Sequence, residues 1–175
     1  MADRPVVMAV ASYHSKTAAE SDFRALWAIE EQVVSGRVAA ALVEKGADGQ
    51  LTIDRHRCPG DHPAWDGPVL GGALTVVAAP VGIRFLVPVI GTGPDLGGVG
   101  AIAGHFWNNV PKHQLRQMSE LLETSQAALV VVAGDAPREI IAARLAGADD
   151  TVVACTVADF DHDYSCGIEE ARAIG

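Results

Sequence analysis

Positive charge is sparse in this chain and nowhere clustered: thirteen Lys and Arg lie scattered among twenty-two Asp and Glu, for a net charge of -9. Binding to a phosphate backbone rests on grouped cations that release counterions, so composition argues against nucleic acid and against anionic membrane surfaces as partners. Cysteine is nearly absent too. Cys58, Cys155 and Cys166 are odd in number and far apart, a pattern of free thiols in a reducing compartment and not of a disulfide framework. Nor does the N-terminus resemble a secretory signal, because its apolar run from Pro5 to Ala11 is only seven residues long behind a mixed-charge start. It reads as the first strand of a cytoplasmic protein.

Signatures of chemistry are missing as well. Gly91-Thr92-Gly93 is followed by Pro94 and Asp95, so no dinucleotide fingerprint forms there, and no phosphate loop or Ser, His and Asp set is present. The sequence implies no reaction and no cofactor. Three possible ligands for a soft metal, His56, Cys58 and His62, sit close together, but a closed zinc site needs four ligands and a clearer spacing. A polar strand end and loop explains them as well. Cys155 alternates with Val153 and Val157, the pattern of a small hydrophobe on the core face of a strand. His105, Trp107 and Asn108 mix polar groups with aromatics as a small-molecule pocket would, or as a helix end would.

Glycine and short aliphatics are what the chain has in excess. Residues 67 to 104 hold ten of the eighteen glycines and only two charges, Arg84 and Asp95. As a membrane span this stretch is close to neutral at best: its Val, Leu, Ile and Phe each contribute about -0.3 to -0.6 kcal/mol at a helix centre, against about +2.5 to +3.5 for Arg84. Pro80 and Pro88 also cut it into pieces shorter than the roughly 20 residues a span needs. Close helix contact is the better reading. Gly67 and Gly71, Gly93 and Gly97, and Gly100 and Gly104 are each four apart, so each pair clears one helix face for a neighbouring backbone. A hairpin of two short helices turning near Gly91 to Pro94 leaves Leu70, Leu74, Phe85 and Leu86 pointing outward. Such a patch exceeds the few hundred Å² that soluble monomers tolerate. Self-association follows, with Gly67, Gly71, Leu74, Phe85, Leu86, Gly93, Gly97, Gly100 and Gly104 as the contact.

Around that stretch the periodicity predicts alternating elements. Pro5 to Ser12 reads as a buried strand. A helix follows, capped by Thr17-Ala18-Ala19-Glu20, carrying Phe23, Leu26 and Val33 on its apolar stripe and ending at Gly36. Val38 to Glu44 and Gln50 to His56 flank a turn with Asp48-Gly49, a β-hairpin. Pro111 to Ser125 is a helix striped by Leu115, Met118, Leu121 and Leu122. Gln126 to Ala133 is a strand, Ala136 to Ala146 a helix and Asp150 to Ala158 a last strand. The expected class is α+β: a ferredoxin-like βαββαβ sheet with an appended αβ unit and a glycine-rich apolar helical hairpin inserted after the third strand. One domain spans residues 1–158, with 59–110 as the insertion and 159–175 as an acidic tail. Helices cover one sheet face in that plan, leaving the other to the insertion or to a partner.

The helix Glu20 to Val34, the hairpin VAAALVEKGADGQLTI, the glycine-rich insertion and the run QAALVVVAGDAPREIIAARLAGADDTVVACTV together resemble a bacterial and archaeal family, domain of unknown function 1269, with relatives described as general stress proteins. The resemblance implies a stress-linked role and, through the insertion, association with membranes. It attaches no catalytic residue. The prolines and Arg84 of the insertion depart from the family's pattern and speak against lipid. The leading expectation is therefore a non-enzymatic, cytoplasmic, self-associating protein. A membrane-associated protein inserting the same hairpin, and a small-molecule enzyme with a pocket near His105 and Trp107, are the alternatives.

Overall fold

A computed structural model describes residues 4–32, 37–57, 68–78, 109–135 and 138–158. Five strands, β1 (Arg4–Tyr13), β2 (Arg37–Lys45), β3 (Leu51–Arg57), β4 (Ala127–Gly134) and β5 (Asp150–Ala158), form one sheet in the order β3-β2-β4-β1-β5. Every pairing in it is antiparallel. Among the described residues four helices accompany it: α1 (Lys16–Gln32), α2 (Pro68–Ala78), α3 (Lys112–Thr124) and α4 (Arg138–Arg144). The class is α+β, as the periodicity predicts.

Central strands are recognisable by composition. β4 is AALVVVAG with every residue buried, and β1 is buried from Val6 to Tyr13. A strand covered on both faces has no polar side to display, so it is apolar throughout and not alternating. Because β1 and β2 both run antiparallel to β4, they are parallel to each other with β4 between them. The same logic makes β4 and β5 parallel with β1 between them. The crossovers through α1 and α4 thus interleave. Among the described residues β3 pairs with β2 alone and lies at an edge, not beside β1. Its hairpin turn is the expected one. Gly46 N–H donates to the Gln50 carbonyl at 2.8 Å, the Asp48 carboxylate accepts from Gln50 N–H at 3.1 Å, and Gly49 takes a φ of 80° that a side chain would resist.

The sheet is sandwiched between two helix layers. On one face Val7, Ala9, Leu42, Leu129 and Val131 meet Phe23 and Leu26 of α1 and Ile141 of α4. On the other face Val6, Met8, Val10, Val130 and Val132 meet Leu70, Ala73, Leu74 and Val77 of α2 and Met118 and Leu122 of α3. The second layer therefore comes from this chain. Each fully buried aliphatic side chain of α2 contributes about 1.5–3 kcal/mol relative to exposure.

Helix α1 starts two residues earlier than the capping box predicts. The Ser15 hydroxyl accepts the Ala18 N–H at 3.4 Å, and Thr17 falls inside the first turn. Glu20 is consequently free of a capping role and reaches Arg55 on β3 at 3.7 Å. Helix α3 opens after Pro111, whose carbonyl accepts N–H groups of Gln114 and Leu115 at 3.0 and 3.2 Å. Its far end is met by the Lys45 ammonium, which donates to the Glu123 carbonyl, a cation at the negative pole of a helix.

Candidate functional site

The glycine-rich stretch enters the described structure through α2, PVLGGALTVVA. Leu70 and Leu74 are 0% and 1% exposed. The expectation that they point outward is corrected: among the described residues α3 shares this face of the sheet with α2, and the largest side chains of α2 pack into the core over β2 and β4. Gly71 is also buried, so it and Leu74 face the chain's own core. Helices α2 and α3 are joined by a polar link. The Ser119 hydroxyl, fully buried, is hydrogen-bonded to the carbonyls of Val77 and Leu115, which satisfies one of the carbonyls that the last turn of α2 leaves without a helical partner. No sequence pattern marks Ser119, because its partner lies 42 residues away.

Gly67, Phe85, Leu86, Gly93, Gly97, Gly100 and Gly104 lie outside the described residues, as do His105, Trp107 and Asn108 and the acidic tail 159–175. Of the three metal candidates, His56 is exposed on β3, while Cys58 and His62 lie outside the described residues. Among the described residues no three His, Cys, Asp or Glu side chains gather as a metal site would require. No helix among them is long and apolar enough to cross a membrane. Cys155 is exposed and reduced, which corrects its expected burial. It shares a face with Val153, but among the described residues β5 is the last strand of the sheet.

A buried polar cluster stands opposite, where β1 ends. The Tyr13 hydroxyl donates to the Asp22 carboxylate at 2.7 Å, and the same carboxylate accepts the Gly147 N–H at 2.9 Å. Tyr13 is 1% exposed and Asp22 8%. Burial, and then the neighbouring Asp22, push the Tyr13 hydroxyl far above its ordinary ionisation range. This cluster ties β1, α1 and the loop after α4 together through one carboxylate oxygen, Asp22 Oδ2, which accepts both bonds. A groove of about 650 Å³ runs beside β5, floored by Asp150 to Val153, with Gln114, Gln117, Glu120, Leu121 and Thr124 of α3 on one wall and Arg138 of α4 on the other.

The family model described as "Protein of unknown function (DUF1269)" matches residues 69–164, more than half of the chain. The chain belongs to this family. Within the DUF1269 protein the match begins in α2 and runs through α3, β4, α4 and β5, so it covers the glycine-rich stretch and leaves β1, α1 and the β2–β3 hairpin outside. No curated protein and no solved structure matches the chain.

Proposed function

We propose that this DUF1269 protein is a non-enzymatic, self-associating α+β protein of the cytoplasm, assembled through the part of its glycine-rich stretch that follows α2. The observation that supports the proposal is the second helix layer. α2 and α3 already occupy the sheet face on their side, while residues 81 to 104 add Ile83, Phe85, Leu86, Val87, Val89, Ile90, Leu96, Val99 and Ile102 against the two charges Arg84 and Asp95. So much apolar surface exceeds what a soluble monomer leaves bare. Gly71 and Leu74 are withdrawn from the contact by their burial. Phe85 and Leu86 stay as its bulk, and Gly93, Gly97, Gly100 and Gly104 as its points of close approach. The supporting frame reads as ferredoxin-like, with β1-α1-β2 and β4-α4-β5 as the two interleaved crossovers and β3 to α3 as the insertion. A stress-linked role is the part of the proposal that rests on family resemblance.

Light scattering on the Gly100→Leu and Gly104→Leu double variant tests it. Crowding both close-approach positions is expected to lower the assembly mass, and a mass equal to that of the unsubstituted protein counts against the contact.

A further inference from the structure

The two edges of the sheet are built differently. β3 carries Asp54, Arg55, His56 and Arg57 in its exposed half, and its pairing with β2 shifts by one residue between Leu42 and Val43, leaving Asp54 as an extra residue. Asp54 then lies 3.6 Å from Lys16 and from Arg55. Charge and a bulge are the devices by which a sheet blocks further strands from joining. β5 has neither. From Thr151 to Ala158 it holds no charge and no proline, its register with β1 is unbroken over nine pairs, and among the described residues no strand pairs with its outer side. The groove beside it follows this open edge, walled by Gln114, Gln117 and Leu121 on one side and Arg138 on the other.

We propose that β5 pairs antiparallel with β5 of a second copy, making one continuous ten-strand sheet across a two-fold axis at Ala154. The choice of occupant follows from the strand's own sequence. In that register Asp150 faces Ala158 of the partner subunit, so the one charge of the strand never meets itself, and Val153 faces the partner's Cys155, Val152 the partner's Thr156, and Ala154 the partner's Ala154. Pairs of this kind stabilise an antiparallel ladder, and like charges placed opposite each other would oppose it. The groove then receives the small residues from the partner's Cys155 to the partner's Ala158, which an edge walled by two helices can admit. An isologous contact of this type closes on itself. It does not rest on the glycine-rich contact and involves none of its residues.

Cys155 is the reporter. In a Cys58→Ser, Cys166→Ser background, the two Cys155 thiols of the pair lie on one face as diagonal neighbours roughly 7–8 Å apart. A bismaleimide of that span is expected to give a covalent dimer in high yield at micromolar protein, and to do so equally in the Gly100→Leu, Gly104→Leu variant. Hydrogen exchange on the unsubstituted protein provides the second measurement. Outward-facing amides of β5 should become more protected as protein concentration rises. The exposed position tolerates charge, so Cys155→Lys is expected to fold normally and to raise the dissociation constant about tenfold by setting like charges near each other across the axis. Absence of cross-linking together with concentration-independent exchange in β5 overturns the proposal. Cross-linking that vanishes in the glycine double variant overturns it too, by assigning the pairing to the glycine-rich contact.

Discussion

At the scale of single residues, the Tyr13–Asp22–Gly147 cluster makes the sharpest statements. Tyr13→Phe leaves a carboxylate that is 8% exposed with one fewer donor, and an unsatisfied buried acceptor costs about 1–3 kcal/mol. A fall of the unfolding free energy by that amount, read as a lower urea midpoint with an unchanged slope, is expected. Alkali gives an independent check. The folded hydroxyl ionises far above its ordinary range, whereas an unfolded tyrosine ionises near about pH 10. Above that pH the unfolded chain has released a proton that the native chain still holds, so stability declines as pH rises and is complete below it. The decline should begin near pH 10 and be shallower in Tyr13→Phe. Gly147 is sensitive for a steric reason: a Cβ there would lie 3.2 Å from both carboxylate oxygens of Asp22. Gly147→Ala is therefore expected to lower the midpoint less than Tyr13→Phe, and to lose most of its effect when Asp22 is replaced by Ala, as a double-mutant cycle would show.

At the scale of elements, helix α2 reverses the reading of Leu70 and Leu74 as outward-facing. An apolar helix with glycines can face a neighbouring copy or its own sheet. Leu74 at 1% exposure, in a helix packed on β2 and β4, lies on the sheet, so Leu74→Ala should cost about 2–5 kcal/mol of cavity and transfer energy. That loss should be the same at any protein concentration, whereas a residue in an oligomer contact gives a concentration-dependent one. Chemical denaturation at two concentrations a hundredfold apart distinguishes them. Why the sequence misleads here is plain in physical terms. Periodicity shows that Leu70 and Leu74 share a face but not what meets it, and the space they fill is created by β2, upstream of them, and β4, far downstream. Locally encoded features are legible by contrast. The β2–β3 turn is written in Asp48-Gly49, the stripe of α3 in Met118 and Leu122, and the central position of β4 in its unbroken aliphatic run. Strand order is not local. The pairing of β2 with β4 rather than β3 with β1 depends on contacts across the whole insertion, and the exposure of Cys155 depends on β5 being last in the sheet. The buried cluster escapes notice for the same reason, since Gly147 lies 125 residues from Asp22.

At the scale of the whole molecule, net charge decides how association responds to salt. Each copy carries -9, so two copies approaching one another repel, and the repulsion is felt over roughly 10 Å at 0.1 M salt and about 30 Å at 0.01 M. Both contacts proposed above are apolar or backbone contacts with almost no charge of their own, Arg84 and Asp95 in one and Asp150 in the other. Nothing attractive is therefore screened when salt is added, while the long-range repulsion is. Assembly should strengthen as ionic strength rises, with the dissociation constant from sedimentation equilibrium falling steadily between 0.01 and 0.3 M sodium chloride. Association held by ion pairs, or binding to a polyanion, would show the opposite slope, because counterions compete with both. A constant that rises with salt would show that charged residues elsewhere on the surface hold the copies together, and would set aside the glycine-rich stretch and the β5 edge at once.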